Sequence, residues 1–305
     1  MPLLRLFFLM VFAAGSLFSQ GETYYLMGTY AYIELPGKEM NLRAYKYLRE
    51  IEFKLSDYID TSEISKINLS AGKHFTKVSP ITLEIIKKSI LISEKTYGVF
   101  DITIGSVTIN SKRLNKISED SAYKLVNYRD IILKDDSVML ARENMAIDLG
   151  GIGKGFAIEE TFRWLGTKKG FISIGGDMKI WGHKRTIAIK DPINGGSIAQ
   201  VVNAKDVSIS TSGNYIKEHI KTQDDEIIQV TVAHESATFA DAYATAIFAM
   251  SKELREKFLK ENPDVGVFIL YKDGSVFVNE RFRSFFDVLI LKGAESAISK
   301  TKNEE

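Results

Sequence analysis

The feature that most constrains the fold of this chain is a glycine-rich stretch between two apolar segments. From residue 145 to residue 159 it reads MAIDLGGIGKGFAIE. The apolar neighbours of Asp148 predict a buried strand, and the four glycines predict a sharp turn at which the backbone closely approaches a neighbouring group. The apolar run from Phe156 predicts a helix directly after the turn.

Two charged residues at this turn are candidate ligand-binding groups. The first amides of a helix lack partners within it, so a helix N-terminus beside Lys154 is typical of an anion site. Asp148 could orient a cation or a polar ligand. A plain strand-to-helix turn with a solvated lysine is the alternative. The stretch is neither an NTPase phosphate loop, which needs Ser or Thr after Gly-Lys, nor a dinucleotide fingerprint, which needs a third glycine at another spacing.

Composition excludes several classes of protein. The 305 residues are 45% apolar and 26% charged, which is typical of a globular protein. A net charge of +1 gives no indication of a nucleic-acid partner. The absence of cysteine excludes disulfides, thiolate metal sites and thiol nucleophiles. The four histidines show no paired metal-ligand spacing.

The N-terminus predicts export. Arg5 is followed by an apolar run, Leu6 to Ala14, so residues 1–19 are expected to be a cleaved secretory signal. The run is shorter than the ~20 apolar residues that span a bilayer, and an uncleaved membrane anchor is the alternative. In either case the folded part is expected to be periplasmic or attached to the outer side of the cytoplasmic membrane.

The rest of the chain predicts one α+β domain over residues 20–292, followed by a charged tail over residues 293–305. Helices and strands interleave without strict alternation, and no proline-rich linker divides them. Two lobes around a central cleft are one possible arrangement. The expected elements include a strand over 23–35 with a bulge or bend at Gly28, a helix over 41–55, a helix from Pro80 to Tyr97, and a strand–turn–strand unit over 170–182.

A helix expected over residues 237–250 carries two polar side chains on an otherwise apolar surface. Asp241 and Thr245 are four residues apart and therefore share one face. Oxygen ligands alone suit a hard cation such as Mg²⁺. In the alternative, Asp241 caps its own helix and Thr245 bonds back to it.

Three further residues allow two interpretations each. Tyr58, the only large aromatic of a polar loop, either packs against the protein or stacks on a ligand ring. Asp101 follows a helix exit, which is either a ligand-binding corner or an ordinary helix-to-strand connection. His219 is a lone histidine, a type that is more often structural than a general base.

Seven sequence patterns, taken in order, resemble those of the ApbE family, the FAD:protein FMN transferases. Each is weak alone, but seven in family order leave little room for chance. The resemblance as a whole covers most of residues 24–280. The patterns are MGT at 27–29, LSxY at 55–58 with SEISxIN at 62–68, GVFDITIG at 98–105, IDLGGIGKG at 147–155, IGGD at 174–177, TSGNY at 211–215 and ADAxATA at 240–246.

The resemblance implies an exported or membrane-attached enzyme that uses FAD and Mg²⁺. It would transfer FMN to a Ser or Thr hydroxyl of a partner redox protein and release AMP. His219 matches the family's general base. The positions implied for the flavin nucleotide are Met27, Tyr58, Val99, Phe100, Asp101, Asp148 and Lys154, and those for the metal are Gly151, through its carbonyl, Asp241 and Thr245.

The resemblance is weaker after His219. The family commonly carries HIIDPxTG there, whereas His219 and Ile220 are followed by KTQDDE over 221–226. Two other functions therefore remain as alternatives: an Mg²⁺-dependent FAD pyrophosphatase, in which water replaces the acceptor hydroxyl, and a non-enzymatic FAD-binding protein outside the cytoplasm. The chain lacks the Ser/Thr-Gly-Ala-Ser/Thr acceptor sequence, so modification of itself is not expected.

Overall fold

A computed structural model describes residues 21–213 and 222–292. The predicted signal, the predicted tail and His219 lie outside these ranges. The helices are α1 (Lys38–Leu55), α2 (Glu63–Leu69), α3 (Pro80–Lys95), α4 (Glu119–Tyr123), α5 (Gly153–Leu165), α6 (Ala237–Ala249), α7 (Lys252–Glu261) and α8 (Glu280–Arg283), with a π-helical segment at Ser106–Arg113 and a 3-10 turn at Tyr128–Asp130.

The strands form three antiparallel sheets. The largest has eight strands in the order β1-β2-β6-β7-β10-β11-β12-β13, and the smaller ones have the orders β14-β9-β8 and β3-β5-β4. The strands are β1 (Glu22–Leu26), β2 (Thr29–Glu34), β3 (Thr76–Lys77), β4 (Ile131–Lys134), β5 (Ser137–Leu140), β6 (Gly170–Ile174), β7 (Asp177–Trp181), β8 (Thr186–Lys190), β9 (Ser197–Asn203), β10 (Val207–Gly213), β11 (Ile227–His234), β12 (Gly266–Tyr271), β13 (Val276–Val278) and β14 (Phe286–Leu291).

The large sheet is covered on both faces. Strand β12 shows this clearly, since Val267 and Ile269 belong to the core shared with α1, α5 and α6, while Phe268 and Leu270 belong to a second core. Successive side chains of a strand point to opposite faces, so one strand supplies both cores. The second core also contains residues of β8 and β9, which places the β14-β9-β8 sheet over the face opposite to the helices. The predicted α+β class is confirmed.

Local sequence signals explain most of the elements. In α1 the buried side chains include Ala44, Leu48 and Ile51, as the helical spacing predicts. Helix α3 begins at Pro80, directly after its N-cap residue Ser79. No helix within the described ranges is both long and apolar enough to cross a membrane.

The first strand prediction was wrong in one respect. Residues 23–35 do not form one strand bent at Gly28. Instead, β1 and β2 make a hairpin in which Leu26 pairs with Thr29. Met27 and Gly28 form its two-residue turn, with φ of 51° and 71°. Such tight turns require positive φ at both central residues, which favours Asn-Gly. Because methionine is unusual at the first of these positions, the sequence did not indicate a turn here.

The Met27 backbone makes the hairpin turn testable. Asn tolerates positive φ, whereas a β-branched side chain does not. Met27→Asn should therefore stabilise the protein and Met27→Val should destabilise it, each by about 1 kcal/mol, because left-handed backbone costs most residues roughly 1–2 kcal/mol. Chemical denaturation midpoints measure both effects, and equal midpoints for the two variants would contradict the turn assignment.

Candidate active site

The prediction of a buried strand before the glycine turn was wrong, because Ala146 makes only an isolated bridge to Ile104 and residues 147–149 belong to no strand. A side chain from α2 holds this segment instead. The side-chain amide of Asn68 donates to the Ile147 carbonyl over 3.0 Å, and its oxygen accepts the Ile147 N–H over 2.7 Å. Asn68 thus pairs with the backbone as a neighbouring strand would. In the sequence Asn68 is recognisable only as part of a pattern, because its role depends on a contact between residues 79 positions apart.

Asp148 closes the glycine turn. Its Oδ1 accepts the Gly150 N–H over 2.8 Å, and its Oδ2 accepts the Thr108 hydroxyl over 2.6 Å. The first bond is a local side-chain-to-backbone turn, which asparagine and aspartate commonly form. Thr108 lies in the π-helical segment, a type of distortion that is frequent at functional sites. The half-buried carboxylate therefore organises the turn, and its role in nucleotide binding stays a prediction.

The glycine turn packs directly on α6. A Cβ atom on Gly155 would lie 2.2 Å from the Ala237 carbonyl oxygen and 2.6 Å from the Asp241 Cβ, so only glycine allows this approach. The Gly155 N–H donates to Asp241 Oδ2 over 2.8 Å. Asp241 lies in the second turn of α6, where it caps α5 rather than its own helix. The anion expected at the N-terminus of α5 is thus a carboxylate of the protein itself.

The three predicted metal residues lie together. A Cβ on Gly151 would lie 3.1 Å from Cγ2 and 3.2 Å from Oγ1 of Thr245, and 3.4 Å from Cε2 of Phe100. Thr245 Oγ1 is also 3.3 Å from the hydroxyl of Ser212 on β10. Because Thr245 is one turn after Asp241 on α6, the contact between α5 and α6 brings Gly151, Asp241 and Thr245 to one place.

Lys154 lies between two buried acids. Its Nζ is 2.8 Å from Asp177 Oδ2 and 3.8 Å from Asp241 Oδ1. Asp177 is a site residue that the sequence analysis missed, although it ends the IGGD pattern. The available signal was an acid at the start of a predicted buried strand, which is costly without a partner. The lysine charge was predicted to face a nucleotide, and the structure shows that it lies beside two carboxylates of the protein.

Burial and charge shift the pKa values of this cluster. Burial and, to a smaller extent, the negative charge of Asp177 raise the pKa of Asp241 to about 7, against the opposing effect of Lys154. Burial disfavours the charged form of Lys154, but Asp177 and Asp241 outweigh it and raise the pKa of the ammonium. The ammonium therefore stays charged, and with both acids ionised the cluster has one negative charge in excess.

Asp101 organises the corner after α3. Its Oδ1 accepts the N–H and the hydroxyl of Thr103 over 2.8 and 2.6 Å, and its Oδ2 accepts the Tyr128 N–H over 2.7 Å. Burial raises the pKa of this carboxyl. Phe100, directly before it, faces Gly151, so the corner positions an aromatic ring beside the predicted metal residues. Direct contacts of Val99 and Asp101 with a nucleotide stay predictions.

The remaining predicted ligand-binding residues contact other parts of the protein. The Met27 N–H donates to Glu52 Oε1 over 2.7 Å, which fixes the hairpin turn to α1. Tyr58 is 78% exposed, and the Arg113 guanidinium lies 4.1 Å from its ring centroid. Arg113 also pairs with Asp57 at 2.7 Å. An exposed ring with one face on a cation leaves its other face available for stacking. His219 lies outside the described residues.

Fold and site together define a class: an α+β protein in which a glycine turn and an acid–lysine–acid cluster meet where two helices join. The model of the ApbE family matches residues 27–269, and the chain belongs to that family. The family prediction from the sequence patterns is confirmed.

Known proteins agree with this assignment. A Vibrio cholerae protein named FAD:protein FMN transferase is 24% identical over 305 residues, with 88% of this chain and 90% of that protein covered. The solved flavin transferase ApbE from Vibrio cholerae has a TM-score of 0.76 at 21% identity, covering 87% of this chain and 98% of that one. The ApbE protein from Thermotoga maritima has a TM-score of 0.77 at 24% identity, covering 88% and 99%. The structures show the shared fold, and the relatives' names bear out the prediction of an enzyme of the transferase class.

The glycine contact between α5 and α6 predicts a large difference between two alanine variants. Gly155→Ala should destabilise the protein by about 1–3 kcal/mol or more, since the methyl group has no space beside α6. Gly153→Ala is the matched control, because its Cβ would meet only Leu149 Cβ at an ordinary 3.8 Å. That variant should be neutral or stabilising. Denaturant unfolding distinguishes them, and equal midpoints would disprove the close packing.

The raised pKa of Asp241 predicts a pH-dependent stability. Its folded pKa of about 7 exceeds the ordinary value of 3.8, so the folded state binds this proton more tightly than the unfolded state does. The resulting stability is present below the ordinary pKa and is lost as the pH rises through about 7. Asp241→Asn removes this loss, so in metal-free buffer its Tm relative to wild type should rise between about pH 5 and about pH 8.

The exposed Asp60 provides the control for this titration. Asp60→Asn should give the same Tm difference from wild type at both pH values. An effect of 1 kcal/mol corresponds to roughly 2–4 °C in a domain of 150–250 residues, which scanning calorimetry resolves. A pH-independent Tm difference for Asp241→Asn would show that the Asp241 pKa is not raised.

Proposed function

We propose that this chain is a magnesium-dependent FAD:protein FMN transferase. It moves FMN from FAD to a Ser or Thr hydroxyl of an extracytoplasmic redox protein and releases AMP. The proposal is supported by the family membership and by the names of the relatives. The single observation that carries it is the meeting of Gly151, Asp241 and Thr245 beside Lys154.

The residues present fit a magnesium ion. Asp241 Oδ1, Thr245 Oγ1 and the Gly151 carbonyl are hard oxygen donors, which Mg²⁺ prefers. Within residues 21–213 and 222–292, no group of three or more His, Asp or Glu side chains is arranged to hold a metal. One carboxylate is nevertheless sufficient where substrate phosphates and water complete the coordination, as is usual for Mg²⁺. The excess negative charge of the cluster favours a divalent cation before a pyrophosphate enters.

The transfer exchanges one phosphorus–oxygen bond for another. The acceptor hydroxyl oxygen bonds to the FMN phosphorus, the bond from that phosphorus to the AMP oxygen breaks, and the hydroxyl proton passes to a base. When bound, Mg²⁺ would neutralise the pyrophosphate charge and assist the departure of AMP. In this proposal His219 is the base. Lys154 provides a fixed ammonium at the phosphates, and Tyr58 and Phe100 provide rings beside the flavin nucleotide.

Hydrolysis of FAD is the second candidate function. It is supported by the segment after His219, which differs from the sequence that the family usually has there. The Thr222 hydroxyl donates to the Phe248 carbonyl over 2.9 Å, and Asp224 accepts from the buried Arg255 over 2.9 Å. The segment that replaces the family's usual loop is thus tied to the end of α6 and to α7. Water in place of the acceptor hydroxyl would give free FMN and AMP.

One experiment separates these functions. Purified protein is incubated with FAD and Mg²⁺, with and without an acceptor domain that carries a Ser/Thr-Gly-Ala-Ser/Thr sequence, and AMP, free FMN and acceptor mass are followed. AMP that appears only with acceptor, together with an acceptor heavier by one FMN, is the expected result. AMP with free FMN would assign hydrolysis. No AMP in either mixture would overturn both enzymatic functions and leave FAD binding.

A substitution at Asp241 tests the proposed cation site directly in the same assay. Asp241→Ala should lower Mg²⁺-dependent AMP release by about 100-fold or more, because losing several kcal/mol of charge stabilisation has an effect of that size. The exposed Asp60→Ala should retain wild-type turnover. Full Mg²⁺-dependent activity of Asp241→Ala would show that the proposed cation site is wrong.

The location outside the cytoplasm is part of the proposal and rests on residues 1–19. In cells that express the full chain, fractionation should recover it from the periplasm or the membrane. Recovery of the full-length chain in the cytoplasmic fraction alone would contradict the proposed export.

A further inference from the structure

We propose that Asp177 is a positioning residue for the cation. It holds the Lys154 ammonium away from Asp241, so that Asp241 keeps one carboxylate oxygen for a divalent ion. The inference rests on the proposed function, which places that ion at Asp241 and Thr245. Asp177 acts through Lys154 and not on the substrate.

Lys154 is shared unequally by the two acids. Its Nζ forms an ion pair with Asp177 Oδ2 at 2.8 Å, whereas it is 3.8 Å from Asp241 Oδ1. The attraction between two opposite charges falls with the distance between them, so the pair with Asp177 is the stronger of the two. The ammonium therefore pairs mainly with Asp177. A movement of about 1 Å would bring it to hydrogen-bonding distance from Asp241.

Asp177 is itself firmly placed. It begins β7 directly after the Gly175–Gly176 turn, and its side chain is almost completely buried. Its Oδ1 accepts the hydroxyl hydrogen of Ser210, which lies on the neighbouring strand β10. Because one oxygen is held by Ser210, the other stays directed at Lys154.

Asp241 has one oxygen to offer a cation. Its Oδ2 accepts the Gly155 N–H over 2.8 Å and is used to cap α5. Its Oδ1 lies on the side of Lys154. If Asp177 lost its charge, Asp241 would be the remaining carboxylate beside the Lys154 ammonium, whose side chain is only 28% exposed, and a mostly buried charge without a partner is unfavourable. Lys154 and the divalent ion would then compete for the same oxygen.

A direct effect of Asp177 is the main alternative. Its negative charge could attract a cation through space, or its carboxylate could bind the cation itself. Either effect would persist after Lys154 is removed, whereas a positioning role would vanish with Lys154. A double-mutant cycle between Asp177 and Lys154 separates the two cases.

The experiment is a titration with Mn²⁺ as a probe for Mg²⁺, in which free Mn²⁺ is measured by electron paramagnetic resonance. It compares the wild type, Asp177→Asn, Lys154→Met and the double variant, with far-UV circular dichroism as the test of folding and Asp241→Ala as the reference for loss of the site. Asp177→Asn keeps the size of the side chain and its acceptor for Ser210. Asp177→Asn should weaken Mn²⁺ binding by about 10-fold in the wild-type background. In the Lys154→Met background the same substitution should weaken it by less than about 3-fold.

Each other outcome has a defined meaning. Wild-type affinity for Asp177→Asn, or the same weakening in both backgrounds, would overturn the positioning role and leave the proposed function intact. Wild-type protein without Asp241-dependent Mn²⁺ binding would overturn the cation site and this inference with it. If Asp177→Asn does not fold, Ser210→Ala releases Asp177 instead. It should weaken Mn²⁺ binding severalfold, and unchanged affinity would overturn the inference.

Discussion

The hydrogen bond from the Gly155 amide to the Asp241 carboxylate is the interaction on which the site depends. It joins the N-terminus of α5 to the second turn of α6, between residues that are 86 positions apart. The missing side chain at Gly155 permits the approach, and the orphan amide of a first helical turn provides the donor. The same approach presses Gly151 against Thr245. One contact between two helices therefore assembles the candidate cation site.

Burying the charged cluster beside this contact costs folding free energy. Asp177 and Asp241 are both buried, and burial holds the pKa of Asp241 near 7. Lys154 offsets only one of the two negative charges. Apolar residues of similar size would commonly stabilise a fold equally well or better, so an incompletely neutralised buried cluster is typical of a functional site. A divalent cation and the phosphates of a nucleotide would together complete its charge balance.

Local patterns predicted the helices and most strands well, but they failed where one residue departed from the usual chemistry. Helices α1, α3 and α6 followed from apolar spacing and from the Ser79–Pro80 start. The hairpin at Met27 and Gly28 was missed because methionine seldom adopts positive φ. Asp177 was visible only as the end of a pattern, since nothing near it in sequence shows that Lys154 is its partner.

Sequence patterns were sufficient to predict the family, the α+β class and the residue types that can hold a cation, because periodicity, glycine spacing and side-chain chemistry are local properties of the chain. How those residues are used became visible in the folded protein. A carboxylate of the protein occupies the helix N-terminus that was expected to bind an anion. Asp101 accepts hydrogen bonds from Thr103 and Tyr128 in the loop that follows α3, and Lys154 is paired with Asp177. These outcomes depend on distances of 2.6 to 3.8 Å, several of them between segments far apart in the chain, and no local pattern encodes such distances.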